Sequence, residues 1–206
     1  MALGLLTIPS AAFAESAPAP SPCFDFGTRV VDPLRPPIPI VEGRDNSVFG
    51  TYRNGVNWAS TRAVLDMPIT TLYARILDHR NHKDMKKTTL STRVVERPGY
   101  LEFHDVDIVV TLRALFFKVR IAWSEEWGFT LVDGTREAPR RIVASYQRTG
   151  GTRYLKHQCG SYVLQAREHG TSDLALYDEV IADHRSAEDT RNMQAGILRN
   201  LRGLDP

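Results

Sequence analysis

The sequence lacks the marks of several large function classes. Lys and Arg (26) barely outnumber Asp and Glu (24), a net charge of +2, so there is no basic field of the kind that binds nucleic acid. No apolar run is long enough to span a bilayer. No repeat of 20–50 residues appears, which argues against a solenoid or propeller. There is no Gly-x-Ser-x-Gly for serine hydrolysis and no phosphate-binding glycine loop. Cysteine occurs only at Cys23 and Cys159, without metal-ligand spacing, so neither a metal nor a cofactor is expected.

What is present begins with a front unlike a folded domain. Met1 to Phe13 is apolar and small, and Ala12-Phe13-Ala14 has the small-x-small form of a signal-peptidase site before Glu15. A basic n-region is missing, since no Lys or Arg precedes Arg29. Residues 1–14 read as a signal peptide or its remnant, which predicts a periplasmic or secreted protein; the competing reading is an apolar tail or a buried first element. Glu15 to Pro22 is a Pro/Ala/Ser spacer. Asp32 to Ile40 carries four prolines and is excluded from helix and central strand. Residues 15–46 are therefore an arm or linker, and 47–206 the compact domain. In an oxidising compartment Cys23 and Cys159 are candidates for a disulfide tying this arm to a core strand; two isolated thiols are the alternative.

From Val48 the pattern reads strand, helix, many strands, helix. Val48–Arg53 and Val56–Asp66 are strand-like around an Asn54-Gly55 turn. Asp66 is a candidate cap for a helix whose Ile69, Leu72, Tyr73, Ile76 and Leu77 form one apolar face. Six strands follow: 88–96, 100–112, 114–132 (interrupted at Glu126), 140–147, 154–166 and 171–181. Short turns, including Thr149-Gly150-Gly151, join several of them, so the sheet is mostly antiparallel. Ser186 and Asp189 mark the start of a last helix, along which Met193, Ile197, Leu201 and Leu204 recur, with Gly196 open to a close approach. A sheet this long curls, and helices must cover its concave face. The expected fold is α+β: a helix-grip, with a curved, mostly antiparallel sheet closed by a long C-terminal helix.

The segment from about Val56 to Leu201 resembles the START-like (SRPBCC, polyketide cyclase and birch-allergen-like) superfamily. The resemblance rests on a strand running into the Met67–Asp78 helix, the strand carrying Gly160, the run Gly170–Tyr177, and the ending from Ser186 to Leu201. These are patterns of fold rather than of chemistry, and the proline-rich arm lies outside them. The resemblance implies an exported binding or transfer protein with an apolar ligand, such as a lipid, sterol or isoprenoid, between the sheet and the C-terminal helix. Contact with a membrane would be transient. A cyclase- or hydratase-type enzyme using polar groups in the same cavity is the alternative.

Cavity candidates are Phe117, Trp123, Trp127, Phe129 and Tyr146 on strands, and Met193 and Ile197 on the closing helix. Plain core packing is the competing account for each. Arg113, Arg120 or Glu125 are candidates to hold a ligand headgroup. No catalytic residue is identified. His79 and His82 have a His-x-x-His spacing, but among Arg80 and Lys83 a solvated helix end is the better reading than a metal site. Glu102 and His104 share a strand face, as a general base would require, but read better as a solvent-facing strand end. His157 and Cys159 also share a face, where a dyad competes with a disulfide or a structural thiol.

Overall fold

The computed structural model describes residues 23–83, 87–114 and 117–204; the expected signal segment lies outside this range. Eight strands form one antiparallel sheet: β1 Asn46–Thr51, β2 Asn57–Leu65, β3 Thr88–Val94, β4 Glu102–Ala114, β5 Phe117–Gly134, β6 Pro139–Gly151, β7 Leu155–Ala166 and β8 Ser172–Ala182. Their order across the sheet is β1-β2-β8-β7-β6-β5-β4-β3. Helix α1 (Ile69–Leu77) and a 3-10 turn (His79–His82) carry the chain from β2 to β3 at the far edge, crossing the whole sheet. Helix α2 (Ala187–Arg202) follows β8 and packs mainly on β1 and β2. This is the expected helix-grip arrangement.

Period-two alternation assigns each strand residue to a face. Trp127, Tyr146, Gly160, Asp178 and Ala59 lie in register along the inner, concave face. One strand position along, Glu126, Gln147, Cys159, Glu179 and Trp58 line the outer face. The inner face carries the main core, with Leu65, Leu72, Ile76, Ile108, Phe129, Ile142, Leu164, Leu174 and Leu201 all essentially inaccessible. A small second cluster, Val143, Val163 and Ala175, lies on the outer face.

The start of α2 is as expected. Ser186 Oγ accepts from the Asp189 backbone N–H, and the Asp189 carboxylate accepts from the Ser186 N–H, a complete capping box. Three expectations are corrected. Asp66 does not cap α1, whose N-cap is Pro68 with no side-chain bond. Leu204 falls beyond the Gly203 C-cap and is 65% exposed, so the apolar stripe ends at Leu201. Among the described residues Gly196 receives no close approach; only the Arg199 guanidinium, 3.7 Å from where a Cβ would be, comes near.

Residues 23–45 bind to the outer face. The Cys23 and Phe24 N–H groups both donate to Gln147 Oε1 at 2.9 Å on β6. Phe26 is buried against Phe103 and Tyr100, where Gly128 leaves room: a Cβ there would stand 2.6 Å from the Tyr100 ring. Farther along, the Leu34 N–H donates to Ser161 Oγ on β7, and Arg62 on β2 donates to the Ile38 carbonyl. The arm thus crosses from β4 to β2 over the back of the sheet. Cys23 and Cys159 are joined by a disulfide, with Cα atoms 6.4 Å apart.

Candidate functional site

Of the residues expected to face a ligand, Trp123, Trp127, Phe129 and Tyr146 share the inner face, and Met193 and Ile197 lie on α2. Trp127 stacks on Tyr146 with ring centroids 4.3 Å apart, and Phe129 stacks beside Trp127. Trp127, Phe129, Tyr146 and Ile197 belong to the main core; Trp123 and Met193 are partly buried against it. The side chains of Phe117 and Arg113 lie outside the described part of the structure. The centre of this wall is covered by the 3-10 turn rather than by α2: His82 lies flat on Tyr162 at 5.5 Å, and both His79 and His82 pack on Trp127.

Two histidine readings are therefore corrected. His79 and His82 are not at a solvated helix end but 3% and 4% exposed, anchored there because α1 aims the chain across the sheet. Nor do they converge on a shared ion. His82 Nε2 donates to the Ile76 carbonyl at 2.9 Å, while His79 Nε2 meets His104 Nδ1 at 2.8 Å. Burial pushes His82 down to about 4 and His79 down to about 2, the latter with added repulsion from His82 and His104, so both are neutral near pH 7. His104 is likewise buried, not at a solvent-facing strand end. Its Nε2 lies 3.1 Å from Glu102 Oε2. With that Nε2–H donated to the carboxylate, Nδ1 is left to accept from His79, and Glu102, His104 and His79 make a relay from the strand edge to the aromatic wall.

A second polar group lies under α2. Tyr146 OH donates to Asp178 Oδ1, and Gln194 Nε2 donates to Asp178 Oδ2 at 2.6 Å. Gln194 also donates to the Ala59 carbonyl and accepts from Thr61 Oγ1. Gly160 makes the first bond possible. It stands between Tyr146 and Asp178 in register, and a Cβ there would lie 2.5 Å from the Tyr146 ring and 2.4 Å from the Tyr177 carbonyl oxygen. Burial raises Asp178 to about 6 despite these two donors.

Of the headgroup candidates, Arg120 is exposed, and Glu125 is fully engaged. Glu125 accepts from the Trp123 indole at 2.7 Å, the Trp127 indole at 2.9 Å and Lys83 Nζ at 3.2 Å. Arg148 stands opposite Glu125 in register, on the face that carries Tyr146, and is 2% exposed. Its Nη2 makes one long contact, 3.4 Å, to the Thr152 carbonyl, while Nε and Nη1 have no partner among the described residues. Desolvation lowers its pKa. Reading the strand as ending at Gln147 hid this residue; β6 continues to Gly151, and alternation from Tyr146 then turns Arg148 inward.

Clefts among the described residues include two, the first of which reaches Glu125. A polar groove of about 510 Å³ runs over Ser91, Arg93, Asp105, Asp107, Ser124 and Glu126. A smaller one of about 190 Å³ sits beside Pro37, Arg62 and Asp173. Neither is lined by Trp127, Phe129 or Tyr146.

Among solved structures, the chain is similar to a STAR-related lipid transfer protein from Xanthomonas axonopodis, with a TM-score of 0.53 and 10% identity over 81% of this chain and 95% of that one. The fold is START-like. Other similar structures are the human StarD13 lipid transfer and protein localization domain (TM-score 0.48, 13% identity, 78% of this chain and 89% of that one) and the Zhui aromatase/cyclase from Streptomyces sp. R1128 (0.45, 14%, 73% and 90%). No family model matches the sequence. No curated protein matches it either. The arm of residues 23–45 is laid over the back of the sheet.

Proposed function

We propose that this chain binds an apolar small molecule with an anionic head, a fatty carboxylate being the simplest case, between the inner sheet face and the elements that cover it. Arg148 carries the reading. A guanidinium taken from water without a carboxylate partner is costly, and two of its nitrogens donate to nothing among the described residues. A ligand carboxylate would supply acceptors to both, while Trp123, Trp127 and Tyr146 flank its chain. Because Trp127 and Tyr146 are stacked on one another, the ligand enters by parting them from the 3-10 turn that packs on Trp127. The START-like fold supports the reading, as does the lipid-transfer assignment of the Xanthomonas protein. Export to the periplasm or beyond belongs to the same proposal. It is supported by the small-x-small site at Ala12–Ala14 and by the use of both cysteines in one disulfide.

Mass spectrometry of lipids extracted from the natively purified protein identifies the ligand class. In a displacement assay with a fluorescent fatty acid, Arg148→Met is expected to weaken binding by about 10–100-fold, the range for losing hydrogen bonds to a charged group. A neutral sterol probe should be affected little. Equal loss for both probes, or no binding of either by the wild type, overturns the reading.

The Glu102–His104–His79 relay favours a second reading, an enzyme of the cyclase or hydratase kind. His79, neutral and set against Trp127, would exchange a proton with a bound ligand while Glu102 balances the charge at His104. An extracted ligand that is chemically altered by wild type, and not by His104→Gln, would establish it.

A further inference from the structure

We propose that Cys23, Cys159, His157 and Glu179 form a redox-gated site for a divalent metal ion, closed as a disulfide when oxidised and able to take Zn²⁺ when reduced. The four residues meet on the outer face. His157 Nε2 lies 3.5 Å from Cys159 Sγ, 3.7 Å from Cys23 Sγ and 3.5 Å from Glu179 Oε2. Zinc bonds of about 2.3 Å to sulfur and about 2.0–2.2 Å to nitrogen or oxygen, arranged tetrahedrally, put neighbouring ligand atoms about 3.3–3.8 Å apart. All three observed separations from the imidazole fall in that range. The ligand atoms of Cys23, Cys159 and His157 lie within 4.8 Å of one another, the two sulfurs closer than a metal requires because they are bonded; Glu179 joins from the imidazole side and closes on the ion once the sulfurs part.

The surroundings suit the role. Cys159 is inaccessible, while the side chains of His157 and Glu179 retain 19% and 15% exposure, enough for an ion to enter. The other Glu179 oxygen accepts from Tyr177 OH at 2.7 Å, which fixes the carboxylate with Oε2 turned to the imidazole. Reduction breaks the S–S bond and leaves two thiols: an external dithiol supplies two electrons and two protons and becomes a disulfide, or a phosphine supplies the electrons and water the protons, giving the phosphine oxide. Metal binding then releases the two thiol protons, and two thiolates, one imidazole and one carboxylate replace the covalent bond. The sequence hides this set, since its members are spread from residue 23 to residue 179 and are joined only when the arm lies on β7 and β8.

The consequence is an arm held in either redox state. The test reduces the full chain with a non-chelating phosphine under anaerobic conditions and titrates it with Co²⁺, then Zn²⁺. One equivalent of Co²⁺ per chain is expected, with the thiolate charge-transfer absorption and intense visible bands of a tetrahedral site, bleached by Zn²⁺. The oxidised protein should show none. His157→Ala and Glu179→Gln should each weaken Co²⁺ binding by at least about tenfold. Limited trypsin digestion supplies a second readout: Zn²⁺ should protect the bonds after Arg29 and Arg44 in reduced protein, and a chelator should expose them. If reduction unfolds the chain, Zn²⁺ should restore its native circular dichroism. Reduced protein without the Co²⁺ bands, bands unchanged in His157→Ala, or an arm or fold indifferent to Zn²⁺ would overturn the proposal.

Discussion

Gln194, in the middle of the last helix, is wholly inaccessible and donates to Asp178 on β8 at 2.6 Å. This one bond, supported by those to Ala59 and Thr61, fixes how α2 lies on the sheet. Gln194→Leu removes the donor to Asp178 and is expected to cost about 1–3 kcal/mol in denaturant melts, the penalty for an unsatisfied buried acceptor. A variant as stable as wild type would show that the bond contributes nothing.

Asp178 gives stability a distinctive pH dependence. Its folded pKa of about 6 lies above the unfolded value, so the native state binds the proton more tightly. Stability from this group is present below pH about 4 and declines as pH climbs to about 6, by up to about 3 kcal/mol. Asp178→Asn should flatten that slope. Urea melts from pH 4 to 7 with parallel curves for both proteins would contradict it.

His82 acts with the opposite sign. Its pKa falls to about 4 on folding, so its contribution is full above pH about 6.5 and is lost as pH drops toward 4, by up to about 3 kcal/mol. His82→Gln keeps a donor for the Ile76 carbonyl but does not titrate. The expected result is a variant that loses less stability than wild type between pH 6.5 and 4.

Gly160→Ala should cost about 1–3 kcal/mol or more, because its Cβ would overlap the Tyr146 ring and the Tyr177 carbonyl. Combined with Tyr146→Phe, the two losses should fall short of additivity, since Gly160 serves the Tyr146–Asp178 bond. Simple additivity in the double-mutant cycle would dissociate them.

Gly128→Ala tests the arm. The added methyl would occupy the space of Tyr100 and Phe26, so faster trypsin cleavage after Arg29 is expected while the far-ultraviolet circular dichroism is retained. Cleavage at the wild-type rate would mean that Phe26 does not hold the arm.

Most of the fold is legible in the sequence because it rests on local signals. The Asn54-Gly55 turn, the Ser186–Asp189 box, the α1 stripe and the alternation in β4 and β5 each have a short-range cause. The polar half of the site is less so. His79, His82 and His104 sit among charged neighbours in the sequence, and only the path of α1 across the sheet buries them. Gln194 looks like an ordinary solvent-side residue until its partner 16 residues back is seen to lie beneath it. Arg148 was concealed by the turn signal of Thr149-Gly150-Gly151, which pairing to Trp123 and Ser124 on β5 overrides.

The disulfide also decides where a pull on the front of the chain is felt. Residue 23 is bonded to β7, which lies fourth in the sheet, between β8 and β6. Tension from anything attached ahead of residue 23 therefore passes straight into the interior of the sheet. The edge strand β1 is never peeled, and residues 24–158 form a slack loop outside the path of force. While the bond holds, a tethered molecule must yield by shearing β7 against two neighbours at once; once it opens with no metal in its place, the same pull first strips the arm from Phe103, Gln147 and Ser161, one contact at a time.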